Sequence, residues 1–123
     1  MQLFIISLIA LPSIFILDLV VGIYYGFGFR HYWFFQAEHV LGGFFVAMFF
    51  SGLTDSWAVI LAGLAAVTLI WESLEYAAAH IPSWSEFMKR KLRLKKVEFS
   101  WADSVFDVVC NYAGAALLLY FLK

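Results

Sequence analysis

Apolar residues run along this chain in four long blocks, and each block is interrupted by at least one acid. The blocks cover residues 3–25, 33–53, 57–79 and 101–122. Each supplies the ~20 residues that a helix needs to cross a bilayer core. Backbone in lipid must satisfy its own hydrogen bonds, so the pattern predicts helices. The expected architecture is all-α: one integral membrane domain, residues 1–123, built as a four-transmembrane-helix bundle.

Breakers separate the blocks. Gly26-Phe27-Gly28 follows the first, and Thr54-Asp55-Ser56 forms a short turn between the second and third, with Asp55 or Ser56 as a helix cap. Pro82 ends the third near His80. Pro12 is expected to bend the first helix. The apolar start lacks a basic stretch, and Ala10-Leu11-Pro12 is a poor cleavage site, so a retained first helix is expected. Within the connection 81–100, residues 83–94 predict an amphipathic interfacial helix with Trp84, Phe87 and Leu94 against the membrane.

Composition agrees with this picture: 64% of the 123 residues are hydrophobic and 20% aromatic, where soluble domains run nearer ~45–50% apolar. The aromatics read as lipid contact and interfacial anchors rather than a cofactor box. The lone Cys110 excludes an internal disulfide and is expected to pack. Net charge is −1, but its distribution is uneven. Six of the eight basic residues are Lys89, Arg90, Lys91, Arg93, Lys95 and Lys96. Such a cluster marks the cytoplasmic side. The loop with Arg30 and His31 then lies inside, the Asp55 turn outside, and both termini outside. The basic run suits anionic-lipid contact, not nucleic acid. The localisation expected is the inner (cytoplasmic) membrane, multi-pass.

That topology gives depth to the acids. Asp18, Glu38, His39, Glu72, Glu75, Asp103, Asp107 and Asn111 all fall within roughly 3–15 Å of the cytoplasmic boundary at the helical rise per residue. Ionisable groups in a membrane interior cost at least ~2.5–3.5 kcal/mol and usually face a site. Asp103, Asp107, Asn111 and Gly114 recur at helical spacing, as do Glu72 and Glu75. Gly42 and Gly43 after His39 permit close helix approach. The convergence predicts one polar site. Clustered carboxylates with an imidazole suit Mg²⁺ or Mn²⁺, or Fe if the imidazole binds. The absence of Glu-x-x-His argues against a carboxylate-bridged di-iron centre.

Simpler roles compete. Asp103 sits where an N-cap is favoured. Glu38 is placed to snorkel toward Arg30 or a lysine. His31 and His80 belong to loops or interfaces, and Asn111 is suited to bonding between helices. No Gly-rich phosphate loop or Ser-His-Asp nucleophile pattern stands out, and no repeat of fixed period does.

Three motifs share an order with a known group: His39 followed by Gly42-Gly43-Phe44, Trp71-Glu72-x-x-Glu75, and Asp103-x-x-x-Asp107-x-x-x-Asn111-x-x-Gly114-Ala115. Over residues 36–118 the chain resembles the YjdF-like family of small prokaryotic inner-membrane proteins, which is reminiscent of the VanZ-like group. The family usually carries an Asp ahead of the His, where Phe35, Gln36 and Ala37 stand here beside Glu38. Residues 89–98 look like a basic insertion. The resemblance implies a membrane protein of four or more helices whose polar residues matter, and no particular reaction. The VanZ-like link to glycopeptide resistance points by analogy to envelope lipids.

The function expected is a divalent-metal-dependent enzyme acting on a lipid headgroup or phosphate at the inner leaflet. His39, Glu72, Glu75 and Asp107 are the catalytic candidates; the same four with Asp18, Asp103 and Asn111 are the metal candidates. The alternatives are a proton or cation transporter or channel subunit, built in a homo-oligomer if one chain lacks a path, and a non-catalytic membrane scaffold.

Overall fold

The computed structural model describes residues 2–92 and 100–122. It is all-helical over those residues, and four of its helices are long and apolar enough to cross a membrane: Gln2–Tyr24, Trp33–Ser51, Trp57–His80 and Trp101–Phe121.

The first begins as α1 (Gln2–Leu17), runs through Pro12 without losing α-helical form, and widens into a π-helical segment, Asp18–Tyr24. The Tyr25 N–H reaches the Val20 carbonyl at 3.0 Å, the i→i+5 pattern of that segment. The departure from α-helix therefore falls at Asp18 rather than at the proline. Gly26 turns the chain with φ +73°, a conformation that costs glycine little. A single turn, α2 (Phe27–Arg30), follows.

α3 (Trp33–Ser51) ends before Gly52, slightly short of the expected block. α4 (Trp57–His80) starts on Ser56, whose hydroxyl accepts the Val59 N–H at 3.4 Å. It ends at extended Ile81, the backbone state that Pro82 imposes on its predecessor. α5 (Pro82–Leu92) occupies most of the expected interfacial helix, with Trp84 and Phe87 exposed. Leu94, Arg93, Lys95 and Lys96 lie outside the described residues. α6 (Trp101–Phe121) is capped by Ser100, which accepts the Asp103 N–H at 3.4 Å. Asp103 is thus a first-turn residue and not the cap.

α3 is the central helix. It packs against α1, α4 and, most extensively, α6. At the α3–α6 contact a Cβ on Gly43 would collide with the Asn111 carbonyl, and one on Gly114 with the Val40 carbonyl. The two backbones touch there, as small residues allow. Gly42 has open space around its Cβ position and lines a cavity instead. Contacts Tyr32–Asp103, His39–Asp107 and Gly43–Asn111 ascend together, so α3 and α6 run parallel. Thr68–Asn111 and Glu72–Ser104 ascend in opposite senses, so α4 runs antiparallel to α6.

Toward the α3 C-terminus the interior is apolar: Val46, Ala47, Met48, Ile60, Leu64, Ala115, Leu118 and Leu119, with Leu3 and Leu11 packed against them. The outward faces remain apolar as well, with Ile9, Leu69 and Tyr120 among the most exposed side chains. Exposed apolar surface on such a scale is what a lipid-facing helix presents.

Candidate metal centre in an intramembrane cavity

A cavity of about 530 Å³ lies between α1, α3, α4 and α6, with Met88 of α5 also contributing. Its volume is that of a small-ligand pocket. It reaches the surface where exposed Phe29, Tyr32, Ser100 and Asp103 form its rim.

Three side chains from three helices meet in the wall. His39 of α3, Glu75 of α4 and Asp107 of α6 each place one ligating atom within 4.8 Å of the others. His39 Nε2 and Asp107 Oδ1 are 3.3 Å apart. Adjacent donors around a small divalent ion sit roughly 3 Å apart, so modest side-chain adjustment would close the three on one ion. Asp107 is buried, and the other two are partly so. Three protein ligands leave positions open for water or a substrate oxygen.

The remaining candidates surround this trio rather than join it. Glu72 turns to the α4–α6 seam, where Oε2 accepts the Ser104 hydroxyl at 2.7 Å and Oε1 is buried without a partner. Asn111 bonds across the same seam, its amide donating to Thr68 Oγ1 at 3.2 Å. Asp103 is exposed at the rim and accepts the Tyr32 hydroxyl at 2.8 Å. Desolvation, and then the Asp103 carboxylate beside it, pushes the Tyr32 phenol up to about 12, so it stays a donor at neutral pH. Asp18, aimed by the π-helical segment, lines the cavity and lies against Glu38.

Glu38 departs from the snorkelling role. It is 7% exposed and both carboxyl oxygens lack a donor. Arg30 turns instead to the Tyr25 carbonyl at 3.5 Å. Burial follows from the π-helical turn of α1, which packs Gly22 against Phe34 and Phe35 and closes that side of α3. The two remaining histidines are engaged locally: His31, between α2 and α3, packs on Phe27, and His80, at the end of α4, stacks on Tyr76, with ring centroids 4.7 and 4.0 Å apart. Cys110 is buried and donates to Gln36 Oε1 at 3.3 Å, a packing role.

Tyr32, Thr68, Ser104 and Trp71 were not singled out from sequence as site residues. Thr68 precedes Glu72 by one turn and Ser104 precedes Asp107 by one turn, a spacing that signals a shared face. Comparison with protein-family models, with curated proteins and with solved structures returns no match.

Proposed function

We propose that this chain is a four-helix bundle of the inner membrane that binds one divalent cation at His39, Glu75 and Asp107 and acts on a phosphorylated lipid headgroup, or a related phosphate, at the cytoplasmic leaflet. The observation that carries the reading is the meeting of an imidazole and two carboxyls from three separate helices in the wall of one cavity. Acids on a helix surface can arise singly; three converging groups require three helices to be rotated toward each other. The residues of the YjdF-like resemblance, His39, Glu72, Glu75, Asp103, Asp107 and Asn111, either line this cavity or bond in the seam beside it, which supports one shared site.

Mixed nitrogen and oxygen donors favour Mn²⁺ or Fe²⁺ over Mg²⁺. Such an ion supplies Lewis acidity toward a phosphoryl oxygen or a bound water. The chain's own groups supply the rest: the cavity confines the headgroup, and His39 or a neighbouring carboxyl takes the proton. A proton or cation path through a single chain gains no support from the far end, where Ala47, Leu64, Ala115 and Leu118 are packed and buried.

Metal analysis of protein purified in mild detergent tests the proposal. The wild type should retain about one divalent ion per chain, and Glu75→Gln and Asp107→Asn should each weaken retention at least about tenfold. Equal metal content in well-folded variants would overturn it.

A further inference from the structure

The metal trio uses only part of the cavity's charge. Five carboxyls line the wall, from Asp18, Glu38, Glu75, Asp103 and Asp107, and among the described residues no Lys or Arg does. A single divalent ion beside Glu75 and Asp107 leaves Asp18 and Glu38 with each other and the nearby His39 as their described polar neighbours. These two lie against each other on the α1–α3 side. Glu38 is the more telling, because it is only 7% exposed, faces the cavity, and has the Asp18 carboxyl as its hydrogen-bond partner, with no N–H or hydroxyl from another described residue reaching either oxygen. Two carboxyls that bond only to each other, buried and opening onto a cavity, make a fitting seat for a cationic donor.

The walls around the pair are aromatic. Phe15 lies one turn before Asp18 and meets Trp71 edge to face at 5.6 Å. Phe35 packs over Gly22, one turn after Asp18. Phe15, Phe35 and Trp71 all line the cavity. A further metal ion held by two carboxyls alone would keep most of its waters, which the aromatic walls here have few polar groups to hold. An organic ammonium needs only hydrogen-bond acceptors and aromatic faces. The buried Trp71 indole N–H is turned toward the Glu75 carboxylate, so Trp71 offers the subsite its ring face.

We propose that Asp18 and Glu38 form a second subsite that takes the primary ammonium group of an amphiphile. The cavity would then read a headgroup with an ammonium at the α1 side and a phosphoryl group at the His39–Glu75–Asp107 side. The phosphoryl end rests on the metal reading above; the ammonium end stands on its own residues.

The test uses the full chain in detergent, with hexylammonium as a phosphate-free probe and hexanol as its uncharged counterpart, read by tryptophan fluorescence and calorimetry. Hexylammonium should bind at least about tenfold more tightly than hexanol, and Glu38→Gln or Asp18→Asn should each remove at least about tenfold of that affinity. Asp55→Asn, in the distant turn, should change nothing, and metal retention in Glu38→Gln should match the wild type. In a second arm, dihexanoyl phosphatidylethanolamine should be preferred to dihexanoyl phosphatidylglycerol, and Glu38→Gln should abolish the preference. The subsite is overturned if both well-folded variants bind hexylammonium like the wild type, or if Glu38→Gln loses a second equivalent of bound Mn²⁺. Because hexylammonium carries no phosphate, metal-stripped protein should still bind it, so failure of the metal site and failure of this subsite give different results.

Discussion

At the residue scale the acids divide into two kinds of work. Glu75 and Asp107 face the cavity, whereas Glu72 is spent on the seam, held by Ser104 at 2.7 Å. Ser104→Ala would strip the donor from a buried carboxyl oxygen, at a cost of about 1–3 kcal/mol. The expected outcome is a lower thermal midpoint in detergent with metal retention unchanged. A variant as stable as the wild type would mean that Glu72 finds another donor. The acids themselves were legible in sequence, because a carboxyl inside an apolar block has no cheap explanation. Their division was not. Glu72 and Glu75 differ by a fraction of a turn, and only the packed rotation of α4 decides which one meets α6 and which one the cavity. Hydroxyls such as Thr68 and Ser104 stayed hidden for another reason: in a helix they can bond their own carbonyls, as Ser51 does to Ala47 at 2.8 Å, so they raise no alarm in an apolar run.

At the scale of elements, the α3–α6 crossing sets the geometry on which the trio depends. The Gly42-Gly43 pair announced a close approach in sequence, but not which glycine makes it. Only Gly43 meets α6, where its partner is the Asn111 carbonyl, and Gly114 answers at the Val40 carbonyl. Gly43→Ala and Gly114→Ala should push the two backbones apart, costing about 1–3 kcal/mol or more, and should separate His39 from Asp107. Gly42→Ala has open space and should leave the thermal midpoint within about 0.5 kcal/mol of the wild type, as a site away from packed features does. Denaturation of the three variants in one detergent checks the ranking; a destabilised Gly42→Ala with an intact Gly43→Ala would reverse the assignment. The π-helical segment left no mark in sequence. Pro12 drew attention because it lacks an N–H, yet the change of winding begins at Asp18. Its cause is tertiary: Gly22 seats against Phe34 and Phe35 while Asp18 is turned into the cavity, and local propensity encodes neither demand.

For the whole molecule, the lengths of the four apolar helices were readable because bilayer thickness fixes them, and their ends moved only by a turn or less. Orientation is a separate matter, and the packing bears on it. Parallel α3 and α6 begin at the same end of the protein, where Tyr32 bonds Asp103. That end also holds α5, which contacts the π-helical segment, so Lys89, Arg90 and Lys91 lie at the same end as the turn that carries Arg30. The shared end is the one the positive-inside rule assigns to the cytoplasm, and the Asp55 turn lies at the other. Cysteine labelling tests the assignment cleanly, since the native Cys110 is buried. In intact cells a membrane-impermeant maleimide should label Thr54→Cys, while Lys89→Cys should react only after permeabilisation. The opposite pattern would place the cavity mouth and its carboxyls on the outer face, and a cytoplasmic-leaflet headgroup would then be unable to reach Asp18, Glu38 or the metal trio.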